Sequence, residues 1–124
     1  MTGRAVLAIG IDPRFLDMSQ FPGLTAELIQ SFIDSELDRV RALGHDVVSC
    51  LTDLGDTAET MVSDVLQSRS FDCVVIGAGL KDEPDRLILF EKILNEVHSM
   101  APQARICFNT NPADTVDAVR RWLG

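Results

Sequence analysis

Four short runs of apolar residues punctuate this chain, and a stretch with helical spacing follows each of them. The runs are AVLAIGI (5–11), DVVSCL (46–51), CVVIG (73–77) and RICFN (105–109). They are continuously apolar rather than alternating, which is the pattern of parallel strands covered on both faces. The resulting order, β-α-β-α-β-α-β-α, has connections short enough for one open sheet with right-handed crossovers. The simplest strand order is 2-1-3-4. The expected architecture is therefore α/β, a three-layer α-β-α sandwich around a four-stranded parallel sheet, flavodoxin-like or Rossmann-like but one strand short of the usual five. With 124 residues, 46% of them hydrophobic and 24% charged, the chain reads as one domain over 1–124. A chain of this size buries enough surface for a core without staples.

Helix signals support the alternation. Thr25 is a candidate N-cap after the Pro22-Gly23 turn, and Leu28, Ile29, Phe32, Ile33, Leu37, Val40 and Leu43 follow at helical spacing until Gly44 stops the run. Asp56 with Glu59 three residues on is a variant capping box, ahead of the stripe Ala58, Met61, Val62, Val65 and Leu66. Pro84 suits the first turn of a third helix, with Leu87, Phe90, Ile93, Leu94, Val97 and Met100 facing inward. The fourth helix opens NPADT, with Asn111 as cap and Pro112 at the first position, ahead of Val116, Val119 and Leu123.

Charge and composition exclude several functions. Eleven basic against nineteen acidic residues give a net charge of −8, which opposes nucleic acid and anionic lipid alike. Cys50, Cys73 and Cys107 form no C-x-x-C pair, and with His45 and His98 as the only histidines no zinc spacing exists, so no metal site is expected. The cysteines read as small buried hydrophobes, and the histidines as surface residues. The apolar runs, about seven residues at most, are too short to span a membrane. RAVLAIGI, near the start, runs into Asp12-Pro13 without a small-residue cleavage site, so the expected location is cytoplasmic, with reduced thiols.

For strand order 2-1-3-4 the winding reverses between strands 1 and 3, and a ligand would sit there, beyond their carboxyl ends. The walls are then GIDPRF (10–15) and GAGLKDE (77–83). The second is no dinucleotide fingerprint, because the third glycine of G-x-G-x-x-G falls on Asp82 and the motif follows strand 3. It is no Walker loop either, since Gly-Lys-Ser/Thr is missing. Asp82, Glu83 and Asp85 would repel a phosphate, although they suit the following helix dipole. Lys81 projects near the crevice. Arg86 falls inside the apolar stripe of its helix, where a guanidinium requires an anionic partner. That partner is either Asp12, as a structural pair, or an anionic group of a ligand. The candidate ligand-binding set is Asp12, Arg14, Gly77, Gly79, Lys81 and Arg86, with Asn109 and Thr110 behind it; the ligand and any cofactor are left unspecified.

Two other readings stand beside ligand binding. In one, Asp12 or Asp53 is an acid/base and Lys81 or Arg86 stabilises an anionic intermediate. These acids resemble the phosphoryl site of receiver domains only in part, since strand 3 here ends in Gly77 and a fifth strand with its lysine is absent. In the other, the long connection DPRFLDMSQFPGL (12–24) docks a partner chain. Its Phe15, Leu16, Met18 and Phe21 must cover something apolar, either the crevice, as a lid, or a second subunit. Ile88 and Trp122 add exposed apolar surface that fits a homodimer.

The segments VVIGAGL and LFEKILNEVHSMAPQARICFNTNPADTVDAVRRW resemble a family of small bacterial hypothetical proteins that share the IGAG turn, the LFEKILN helix and the APQARICFNTNPADT segment. The resemblance covers most of residues 5–122. It implies the same fold, and it carries no assigned activity and no catalytic residue.

Overall fold

The computed structural model describes residues 3–20 and 22–123. Phe21, expected in the covering segment, lies outside the described residues. Four strands, β1 (Ala5–Ile11), β2 (Asp46–Thr52), β3 (Cys73–Ile76) and β4 (Arg105–Phe108), form one parallel sheet in the order β2-β1-β3-β4. The helices are α1 (Ala26–Ala42), α2 (Ala58–Ser68), a single turn α3 (Ala78–Lys81), α4 (Leu87–Met100) and α5 (Thr115–Leu123). The expected fold class and strand order are both present. No helix among the described residues is long and apolar enough to cross a membrane.

Strand side chains alternate between two faces, and the two faces differ in bulk. On one, Leu7, Ile9 and Ile11 of β1 and Val74 and Ile76 of β3 pack against Val62, Leu66, Leu89, Ile93 and Val97 of α2 and α4. The other face gathers Val6, Val47, Cys73, Val75 and Cys107 beneath Leu37 and Val40 of α1 and Val116, Ala118 and Val119 of α5. Phe71, Leu7, Ile76, Leu80 and Ile93 are the largest fully buried side chains, each worth about 1.5–3 kcal/mol of burial.

The first helix is bounded as its sequence implies. Thr25 Oγ1 accepts from Leu28 N at 3.1 Å, and Gly44 takes φ 97° beyond the last turn. Other details differ from expectation. Asp56 does not cap α2: the helix starts at Ala58, and the carboxylate of Asp53 accepts from Gly55 N (2.9 Å), Thr57 N (3.0 Å) and Thr57 Oγ1 (2.8 Å) instead. Two aspartates competed for that loop, and Asp53 is the one whose carboxylate reaches forward to its amides.

Asn111 does not cap α5, which begins at Thr115. Asn111 Oδ1 accepts from Ala113 N at 2.7 Å within the preceding turn, and Asp114 accepts from Thr110 N at 2.9 Å. The buried Glu36 of α1 reaches across to the new helix, its Oε1 accepting from Val116 N at 3.2 Å. An orphan amide of the first turn is satisfied in this way.

Pro84 opens a separate 3-10 turn rather than α4 itself. Leu87 is 56% exposed, because the inward row of α4 runs Leu89–Ile93–Val97 at intervals of four. Met61, Leu28 and Leu43 are likewise exposed rather than core.

Candidate functional site

Beneath α1 the side chains of the sheet shrink toward its carboxyl edge. On this face β1 presents Val6, Ala8 and then Gly10, and β3 presents Cys73 and Val75 with Gly77 next in line. The opposite face of the same strands keeps Leu7, Ile9, Ile11 and Ile76 to the end. The missing side chains leave a cleft of about 590 Å³ between the sheet, α1 and the loops after β1, β3 and β4. Clefts of this size hold small molecules.

Space, rather than strain, is what Gly10 provides. A Cβ built on it would meet only Leu51 Cδ2, at 3.6 Å, an ordinary contact. Gly77 is different. Its N–H donates to Ile9 O at 2.8 Å, and a Cβ there would come within 3.3 Å of that same oxygen.

The interior is apolar: Ile29, Phe32, Ile33 and Leu37 of α1 face Ala8, Leu51 and Val75 of the sheet. Phe32 is 40% exposed because it stands at the opening instead of in the core. Leu16 and Leu24, from the segment 12–24, form part of the wall, so this connection lies against the cleft. Phe15 of the same segment is exposed.

Charge collects at the end formed by the β3–α4 connection, where Asp82, Glu83, Asp85 and Arg86 line the rim; Asp17 adds a fourth carboxylate from the other wall. Arg86 Nη1 donates to Gly79 O at 2.9 Å. It forms no ion pair among the described residues. The expected structural pair with Asp12 is therefore absent. The inserted turn α3 carries the Gly79 carbonyl over the guanidinium, while Asp12 is engaged two residues away.

Of the six candidates, Gly77, Gly79 and Arg86 line the cleft, and Asp12, Arg14 and Lys81 do not. Asp12 accepts from Arg14 Nε (3.1 Å), Nη2 (2.9 Å) and backbone N (3.0 Å), a closed local unit on the 3-10 turn 13–15. The side-chain bonds from Arg14 hold the Asp12 carboxyl below its ordinary value. Lys81 Nζ lies 2.6 Å from Asp82 Oδ1.

Asp53 is also outside the cleft, and its bonds from Gly55 N and Thr57 hold its carboxyl below the usual range. Neither aspartate is placed to work on a molecule in the cleft, and both are held ionised. Asn111 and Thr110 sit on the rim, tied up with Asp114. Burial alone would raise the Asp114 carboxyl, but the bonds from Thr110 and Asn111 bring it below the ordinary value.

Asn109 is the residue that fixes the two far walls. Its Oδ1 accepts from Ala78 N at 2.7 Å, and its Nδ2 donates to Thr115 Oγ1 at 3.0 Å. One side chain thereby joins the turn after β3 to the start of α5. Sequence reasoning placed Asn109 at the edge without this role, had Gly10 in the GIDPRF wall without singling it out, and gave Leu51, Ile33 and Leu37 no part in the site. A period-two reading of AVLAIGI exposes Gly10, because one face reads V-A-G and the other L-I-I.

The remaining candidate groups lie away from the cleft. Cys50 is buried, and burial pushes its thiol up to about 11. Cys73 Sγ and Cys107 Sγ touch at 3.5 Å in the core. His45 Nδ1 accepts from Arg4 N at 3.2 Å, at the amino end of the sheet. Ile88 and Trp122 are both exposed, but they belong to α4 and α5 on opposite faces of the sheet. Among the described residues, no group of three or more His, Cys, Asp or Glu side chains could hold a metal ion.

Comparison of the chain with protein-family models, with curated proteins and with solved structures finds no match. The functional reading therefore rests on the cleft.

Proposed function

We propose that this chain is a small-molecule-binding α/β domain whose ligand lies in the cleft beneath α1 and presents an anionic group to Arg86. One observation carries the reading: on one face β1 shrinks from Val6 through Ala8 to Gly10, at the carboxyl edge where parallel sheets bind ligands, and a cleft opens there. A strand interior gains nothing from glycine, which packs poorly and costs backbone entropy. Gly10 has room for a β-carbon, so its absence serves the cavity.

The same reading extends to the small bacterial proteins that the chain resembles through its IGAG turn and LFEKILN helix. It describes a cytoplasmic protein, in keeping with three buried free thiols. A homodimer is part of it, supported by the exposed Leu87 and Ile88 on the outer side of α4. Light scattering on the wild type and on Ile88→Lys tests that part: the dimer mass is expected for the first and its loss for the second.

The ligand reading is tested by a thermal-shift screen of carboxylic acids, phosphosugars and nucleotides. A hit is expected that weakens in Arg86→Gln and disappears in Gly10→Val. A hit untouched by both substitutions would place binding elsewhere and end this reading.

A further inference from the structure

We infer that the cleft selects a monocarboxylate with an apolar body, the carboxylate on Arg86 and the body between α1 and the sheet. The inference rests on the ligand reading above and names its chemical class.

The first argument is the separation of polarity along the cleft. Ile29, Ile33, Leu37 and Leu51 line the cleft, while its polar and charged side chains, Ser49 apart, belong to the loops after β1, β3 and β4 and to the start of α5. A molecule that fills such a space is apolar along its length and charged at one terminus. A sugar or a nucleotide would leave hydroxyls and ring nitrogens facing Ile and Leu side chains, unpartnered and costly.

The second argument is the state of Arg86. Its guanidinium is half-buried at the rim, has one N–H engaged with the Gly79 carbonyl, and has no carboxylate partner among the described residues. A guanidinium has five donors in a planar fork, so most of its capacity is unused. The fork matches the two oxygens of a carboxylate in bidentate geometry. The bond to Gly79 O fixes the group without neutralising it.

The third argument limits the charge of the ligand. Asp82, Glu83 and Asp85 share the β3–α4 connection with Arg86, and Asp17 lines the same cleft. Coulomb repulsion scales with the product of charges, so a phosphate dianion meets twice the opposition that a carboxylate does. Lys81 pairs with Asp82, which leaves Arg86 with the carboxylates of Glu83, Asp85 and Asp17 on the same cleft, so a singly charged ligand meets less opposition there than a doubly charged one. The acids thus act as a filter against phosphorylated compounds.

Titration calorimetry with the full chain and four ten-carbon probes tests this: decanoate, 1-decanol, decylammonium and decyl phosphate, each below its critical micelle concentration. Decanoate is expected to bind most tightly, and from hexanoate to decanoate each added methylene should tighten binding about fourfold. Arg86→Gln should weaken decanoate about tenfold and leave 1-decanol unchanged. Arg86→Lys keeps the charge, loses the fork and should fall between them. Circular dichroism establishes that each variant is folded, and Gly10→Val, which leaves the rim intact, provides a second test should Arg86→Gln not fold.

Decyl phosphate binding as tightly as decanoate, with dependence on Arg86, would overturn the carboxylate class and leave the anionic-ligand reading standing. Tighter binding of decylammonium, or no binding by any probe together with unaltered behaviour of Gly10→Val, would overturn both.

Discussion

Replacing Gly10 by valine separates two explanations of the cleft that otherwise look alike. If the glycine is there because β1 needs it, the substitution destabilises the domain. If it is there to leave space, the substitution stabilises the domain and removes its binding. The backbone at Gly10 is ordinary strand, with positive φ confined to Gly23, Gly44 and Gly55 among the described residues. A β-carbon meets Leu51 Cδ2 at 3.6 Å, the far end of a flexible side chain that borders open cleft.

The magnitude follows from four contributions, three favourable and one opposed. Removing a glycine from a strand interior recovers about 0.5–1 kcal/mol of backbone entropy relative to alanine. The β-propensity scale spans about 1 kcal/mol, and valine lies at its favourable end. Burial of the two γ-methyls is discounted heavily because the cleft is open, and crowding of Leu51 subtracts from the rest. A net gain of about 1 kcal/mol remains, which for a chain of this length raises Tm by about 4 °C. Urea unfolding followed by circular dichroism reads the free energy directly, with an unchanged m-value showing that the folded and unfolded states are otherwise the same. Calorimetry with decanoate on the same samples reads the binding. A destabilisation of about 1 kcal/mol or more, with decanoate affinity retained, would refute the claim that the glycine makes room for a ligand.

Three further expectations follow from the hydrogen bonds and the burial. Asn109→Ala removes both the acceptor for Ala78 N and the donor to Thr115 Oγ1, and should cost about 1–3 kcal/mol in urea unfolding; no loss would mean that the two walls are held by other contacts. Asp53→Ala removes a carboxylate whose folded value lies below its unfolded value of 3.8 because of the bonds from Gly55 N and Thr57. Such a group contributes stability that is fully present above the unfolded value and lost as pH falls through the folded one, so the Tm difference between wild type and variant should be constant from pH 5 to 7 and shrink below 3.8. The three buried thiols should be silent toward an aromatic disulfide reagent at pH 8 in the native protein and react in urea; the Cys50 thiol, with its value pushed up to about 11 by burial, should fail to react quickly even in mild denaturant that leaves β2 folded.

The sheet was legible because its signal is redundant. Each strand is marked by a run of apolar residues and bounded by helix signals, so errors of a residue at the ends, such as Gly77 or Asn109, leave the order β2-β1-β3-β4 intact. The caps were less legible because the loops contain several residues of the same capability. Asp53, Asp56 and Thr57 compete before α2, and Asn111 and Asp114 compete before α5; only the path of the backbone decides which oxygen reaches which amide. The turn α3 was hidden for a related reason. Gly79 within it disfavours helix locally, and the turn forms because Gly77 O accepts from Leu80 N at 3.0 Å and Asn109, just past β4, closes its first amide.

The same limit explains the site. Sequence points to side chains that are present, so Asp12, Lys81 and Arg86 were easy to name, and two of the three are occupied by neighbours one or two residues away. Local partners win there because a short loop closes at less entropic cost than a distant pair. The cleft, in contrast, is made of side chains that are absent. Ala8 and Gly10 on one strand and Gly77 just beyond another mean little separately, and they gain meaning once pairing sets β1 beside β3 with Ile9 opposite Ile76. The proposed binding is thus encoded as a deficit of volume on one face of the sheet, and a substitution that improves the strand is the one that should remove it.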